Sequence, residues 1–206
     1  MANDTGIRGL YPILNQNGAP PQLMYYKANT AAAIFRGQPV FVNNSGQVQV
    51  VDVNTSNNTN VAVGVAWEFL DTNRAALPAS IMVLPNSVAG TNIGPFLPSS
   101  TDAFVGVTYD PMQLYLIEED TSGTALTVNS VGKGIDYTYQ ATTGNNFTGY
   151  ANITTVRSVV NNSTANLLQL VAVHDVLNQD STLNTPGNFC KWIVRIQRHQ
   201  YGNALN

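Results

Sequence analysis

The sequence predicts an all-β fold, a barrel or a sandwich with long irregular loops and an extended N-terminal arm. Three observations predict it. Val61, Val63, Val65, Trp67 and Phe69 alternate with Ala62, Gly64, Ala66, Glu68 and Leu70, a period of two with one bulky and one smaller face. Asn43-Asn44-Ser45-Gly46 is a turn, because Asn and Gly tolerate positive φ, and it joins strands over 39–42 and 47–53 as a hairpin. Elsewhere the apolar runs are short, punctuated by Gly and Pro, and helical periods are few.

The elements follow in chain order. Residues 1–24 read as an arm, since Gly6, Gly9, Gly18, Pro12, Pro20 and Pro21 interrupt regular structure. Ile7, Leu10, Tyr11, Ile13 and Leu14 make it too apolar for a free tail, so it packs on its own domain or along a neighbouring subunit. Residues 25–206 read as one β-rich domain, with a possible subdivision near 120–150. Residues 54–60 form a polar loop, and Gly64 marks a bulge or a close backbone approach. A short strand over 81–84 stops at Pro85, and 85–102 is a loop with three prolines. Strands over 104–108 and 114–118 flank the turn Tyr109-Asp110-Pro111. Residues 120–150 are rich in Gly, Thr, Ser and Asn, and read as irregular with one short helix near 125–131. Strands over 153–159, 167–173 and 191–198 complete the chain.

Composition narrows the function. The chain has 206 residues, of which 44% are hydrophobic and only 10% charged. That charged share is well under the usual quarter or so, so the surface is neutral and polar and repels neighbours weakly. Nine Lys and Arg are scattered along a chain of net charge −3, with no basic stripe for direct contact with nucleic acid. No stretch has the length and apolar character of a membrane span. The opening residues lack a basic segment followed by an apolar run, so synthesis in the cytoplasm without a leader is expected.

Reactive constellations are few. Cys190 is the single cysteine and reads as a small buried apolar residue. Pairing it with His199 would need two groups nine residues apart to meet, roughly 30 Å along an extended strand. His174 and Asp175 are adjacent, so in extended chain they point to opposite faces and make a poor base and orienter. Glu118-Glu119-Asp120 is the only acidic run; it could place two oxygens on a divalent cation, but is read as a strand end in solvent. Glu68, between Trp67 and Phe69, has no identifiable partner for glycosidase chemistry. Lys133 in Gly132-Lys133-Gly134 lacks a strand–loop–helix context and reads as a turn lysine. No catalytic residue, metal site or cofactor is expected.

The segment Lys27 to Val40, with Ala31-Ala32-Ala33 leading to Ile34-Phe35 and Gly37-Gln38-Pro39-Val40, resembles an early motif of tailed-bacteriophage capsid cement, or head decoration, proteins. Val63-Gly64-Val65 through Phe69-Leu70-Asp71-Thr72-Asn73 is similar to the family's next landmark, a strand running into an Asp-Thr/Ser turn. Tyr109-Asp110-Pro111 with 114–117, and Leu170 to Asp175 through Val194-Arg195-Ile196 to Gly202, are similar to its Asp-Pro turn and last strands. Ala75-Ala76-Leu77-Pro78-Ala79 stands where the family commonly has Tyr-Trp-Pro. The serial order, over about residues 25–202, carries the resemblance.

The resemblance implies a virion structural protein on the outer surface of the capsid shell, bound to the major capsid protein and to copies of itself as a dimer or trimer. The expected contact residues lie in the arm: Ile7, Leu10, Tyr11 and Leu14. Removing residues 1–14 is expected to leave a folded domain that binds shells poorly. The alternative is a head-fibre or tail module that binds host glycans through aromatic platforms such as Trp67 or Tyr109. A third reading, a lysin-like hydrolase, would depend on His174.

Overall fold

The computed structural model describes residues 9–29, 31–51, 61–77, 96–144 (backbone alone from 140), 150–157, 165–175, 177 and 182–202. Among them the strands are, in chain order, β1 (Tyr11–Asn15), β2 (Leu23–Ala28), β3 (Ile34–Phe35), β4 (Pro39–Val42), β5 (Gln47–Val50), β6 (Gly64–Leu70), β7 (Phe96–Leu97), β8 (Phe104–Thr108), β9 (Gln113–Glu118), β10 (Gly134–Ile135), β11 (Tyr137–Gly144), β12 (Ala151–Thr155), β13 (Leu168–Val173) and β14 (Lys191–Ile196). A 3₁₀ turn spans Val128–Ser130. The fold is all-β, as the sequence predicts. Ile7, the loop over 54–60 and the strand expected over 81–84 lie outside the described residues.

A five-stranded barrel closes in the order β2-β5-β4-β6-β8. Closure comes from β2, which pairs antiparallel with β8 and parallel with β5. The β4–β5 hairpin turns at the expected Asn-Ser-Gly sequence, where the Asn43 side chain accepts the Ser45 and Gln47 amides and Gly46 takes φ +73°. Ala28, Val40, Val48, Val63, Ala66, Val105 and Val107 fill the interior together with Phe69 and Leu97. The small and β-branched residues suit a narrow barrel. Gly64 is a close approach, since a Cβ there would stand 1.8 Å from the Thr108 carbonyl oxygen at φ +158°.

The second layer is a sheet of order β1-β9-β14-β13-β10, with the two-stranded β11–β12 beside it. Leu10, Tyr115, Ile117, Ile135, Tyr137, Leu170, Trp192, Val194 and Ile196 build one core against Phe35, Val51, Ala62, Val65 and Phe96 of the barrel side. Polar bonds lock the two layers. Tyr137 donates to the Val51 carbonyl at 2.8 Å, Ala151 N–H to the Arg36 carbonyl at 2.8 Å, and Gln200 bonds both the N–H and the carbonyl of Val42 at 2.9 Å.

The N-terminal segment is built into this body. Gly9 and Gly37 cross with their backbones in contact, both at positive φ, and a Cβ on Gly9 would sit 3.1 Å from Gly37. Leu10 N–H donates to the Gly37 carbonyl, and β1 continues as the edge strand beside β9. Leu10 is fully buried, which alone stabilises by about 2 kcal/mol. The arm boundary expected at residue 24 therefore falls inside β2, and removal of residues 1–14 would take out an edge strand and a core leucine.

Residues 120–144 are more ordered than their composition suggests. The expected helix near 125–131 is only the 3₁₀ turn, and β10 and β11 follow it. The Thr and Tyr of 137–143 pair with β12, where Tyr137 lies opposite Thr155 and Tyr139 opposite Ile153.

Candidate interaction surface

The outward face of the five-stranded sheet carries an apolar row. In register, Tyr11 lies opposite Leu116, Leu116 opposite Ile193, and Ile193 opposite Ala172. Neighbouring residues in strands alternate faces, so this row backs the core row Pro12, Tyr115, Val194 and Leu170. Leu116 is covered, Ile193 and Ala172 are half-buried, and Tyr11 is exposed. Polar pairs flank the row. Arg195 lies opposite Leu114 and donates to Gln169 at 2.7 Å, and Lys191 lies opposite Glu118.

The strip ends on β1. A register shift between Pro12 and Asn15 breaks the period of two, so Tyr11 and Leu14 are both exposed while Pro12 and Asn15 are buried. Met112 is exposed where its carbonyl accepts the Gln16 amide. Of the four contact residues expected from sequence, Tyr11 and Leu14 reach the surface, Leu10 faces its own core, and Ile7 is outside the described residues. Leu10 is thus unable to contact a neighbour.

Tyr11 also leads to an aromatic ledge on the barrel. Its ring meets Trp67 edge-on, with centroids 4.9 Å apart and planes at 87°. Trp67 is the extra residue of a bulge in β6, because Ala66 pairs with Val107 and Glu68 with Gly106. The bulge leaves Trp67 and Glu68 both half-buried between the buried Ala66 and Phe69. The Arg36 guanidinium lies 5.2 Å from the Trp67 ring and 5.7 Å from that of Tyr150, and its Nε donates to the Trp67 carbonyl. Tyr150 is tilted at 57° to Trp67. These rings are not coplanar and Arg36 occupies a face of Trp67, which is unlike the flat platform a sugar ring stacks on.

The barrel carries further tyrosines, on both sides of β2. Tyr25 crosses the side-chain-free Gly106 to donate to Glu68, a hydrogen bond that pushes the phenol pKa up. The Tyr26 and Tyr201 hydroxyls are 3.0 Å apart. Met24, Tyr25 and Tyr201 are exposed.

The acidic run is a correction. Glu118 and Glu119 are buried, and only Asp120 faces the solvent expected of all three. Glu119 is enclosed because donors surround it. Trp192 Nε1 donates at 2.7 Å, Leu126 N–H at 2.8 Å, and Arg157, itself buried, forms an ion pair at 2.8 Å. Arg157 continues to the Gly123 carbonyl and to Asn188 at 2.9 Å, so the group ties three connections together. Sequence reasoning missed this triad, whose members are 38 and 73 residues from Glu119.

The remaining candidate groups are held in structural roles. Cys190 is fully buried, and burial with Glu119 nearby pushes its thiol up to about 12, the reverse of an activated nucleophile. His174 bonds through its backbone to Lys191 and Asn184, and burial lowers its imidazole pKa. Lys133 sits in the turn after the 3₁₀ segment, its N–H on the Ser130 carbonyl. Among the described residues no three His, Cys, Asp or Glu side chains gather as metal ligands. No helix among them is long and apolar enough to cross a membrane. The chain matches no protein-family model, no curated protein and no solved structure.

Proposed function

We propose that this chain is a virion structural protein, a capsid cement protein of a tailed phage that binds the outside of the shell and staples neighbouring major capsid proteins. The observation that carries this reading is the apolar row Tyr11–Leu116–Ile193–Ala172, flanked by Lys191, Glu118 and Arg195 and ending in exposed Tyr11 and Leu14. The serial resemblance of residues 25–202 to cement proteins points the same way. Each contact with the shell is modest. A protein that grips two shell subunits, or that binds as a dimer or trimer, gains from the high effective concentration of its second contact. Because it binds the assembled shell, it stabilises that state by mass action.

The test uses the full chain, because truncating the first residues would remove β1. Purified shells lacking the protein are mixed with wild type or with the double variant Tyr11→Ser/Leu14→Ser, and co-sedimentation is measured. Both positions are exposed, so the variant folds normally by circular dichroism. Wild type is expected to saturate shells and raise their melting temperature, and the variant to bind at least tenfold more weakly. Failure of wild type to sediment with shells sinks the reading. Equal binding of the two proteins moves the contact away from β1.

A further inference from the structure

The chain's last described turn holds a buried imidazole among its backbone and side-chain ties. His199 is 2% exposed and lies where the end of the chain runs beside the segment entering β6. There Ala62 N–H donates to the Arg198 carbonyl at 3.0 Å, and Gln200 N–H to the Ala62 carbonyl at 2.7 Å. The ring's Nδ1 accepts the Tyr201 N–H at 3.1 Å, so Nδ1 carries the lone pair and Nε2 the proton. Gly202 N–H closes the turn on the His199 carbonyl.

Protonation is incompatible with this arrangement. A proton on Nδ1 would face the Tyr201 N–H, setting donor against donor, and would place a cation in a buried site. Groups on every packed element bear on that charge. Asp110, in the β8–β9 turn, favours it, as do the Val63 and Tyr109 backbones. The segment entering β6 offers backbone alone at Ala62 and Val63. On the histidine's own turn the Tyr201 ring lies 6.0 Å away, tilted at 53°, and the Arg198 guanidinium is engaged by the Ala165 carbonyl. Desolvation outweighs the favourable groups and lowers the imidazole pKa below its usual 6.5.

We propose that the turn over 198–202 is an acid-released clasp with His199 as its pin: on mild acidification the ring takes up a proton, leaves its pocket, and the turn lifts from the barrel. The sign follows from linkage. A histidine whose folded pKa is depressed leaves stability intact above about 6.5 and removes it as pH falls from there toward the folded value. Release would separate Tyr201 from Tyr26 and Gln200 from Val42, uncovering Tyr26 and the edge of β4.

The sequence holds two histidines, so their ring signals can be assigned with one substitution. The full chain is titrated by NMR from pH 8 to 4.5, with amide exchange followed at pH 7.5 and 5.0 and corrected for intrinsic rate. His199 is expected to titrate below 6.5, and the Gln200 and Tyr201 amides to exchange at least tenfold faster at pH 5.0. His199→Asn keeps an acceptor near Nδ1 without a titrating group, and is expected to hold those amides at both pH values. His174→Asn is expected to respond like wild type. Titration of His199 at or above 6.5, or equal loss of protection in wild type and His199→Asn, overturns the clasp. The wild-type titration decides the matter even if the variant does not fold.

Discussion

Substituting Arg157 by Met tests whether the buried triad organises the connections around β14. The side chains of Arg157 and Glu119 are 2% and 0% exposed. Methionine fills much of the same volume but leaves the Glu119 carboxylate with only the Trp192 indole and the Leu126 amide as donors. Stranding one member of a buried ion pair costs about 3–5 kcal/mol, several times a typical surface pair. With a urea slope of about 2–3 kcal/mol/M for a chain of this size, the unfolding midpoint should fall by roughly 1–2 M. Trp192 fluorescence reports the transition, because its indole touches the altered site. Glu119→Gln should cost a similar amount by stranding Arg157. The double variant Glu119→Gln/Arg157→Met should cost at least about 2 kcal/mol less than the sum, since the second change removes an already unpaired group. A midpoint shift under about 0.3 M for Arg157→Met, or strict additivity of the pair, would refute the reasoning.

Further outcomes follow from other sites. Gly64→Ala puts a Cβ 1.8 Å from the Thr108 carbonyl, so β6 and β8 must part; a loss of about 3 kcal/mol or more is expected in urea unfolding, and full stability would contradict the close approach. Cys190 should resist a thiol reagent at pH 8 until the chain unfolds, because its thiol lies up to about 12; rapid labelling of folded protein would show the site to be open. Gly106→Ala crowds Tyr25 at 3.0 Å and Glu68 at 3.1 Å, and should return the Tyr25 phenol toward its usual pKa in an ultraviolet titration without unfolding the barrel.

The barrel's central strands were legible because their patterns are local. The alternation in 61–70, the Asn-Ser-Gly turn and the Asp-Pro turn each fall within ten residues, and β4, β5, β6, β8 and β9 follow from them. β1 was hidden by Pro12, which an edge strand tolerates because it has a free side. β11 was hidden by a Thr- and Gly-rich composition that reads as loop until the tyrosines find β12. The acidic run misled because no local signal announces a donor such as Arg157 or Trp192 arriving from elsewhere. At the candidate surface, apolar character marked Leu10, Tyr11 and Leu14 alike. Only pairing with β9, and the register shift after Pro12, separates the inward Leu10 from its exposed neighbours.

The bonds between Gln200 and Val42 join positions 158 residues apart. Together with the Arg198 and Gln200 bonds to Ala62, they mean that strands made early wait for a segment made much later. The seam along Val42 and Ala62 closes only once residues 198–200 are in place. Closure of that seam is therefore a late step whose rate is set by long-range contacts, and chains cut before Arg198 are expected to accumulate as loosened barrels.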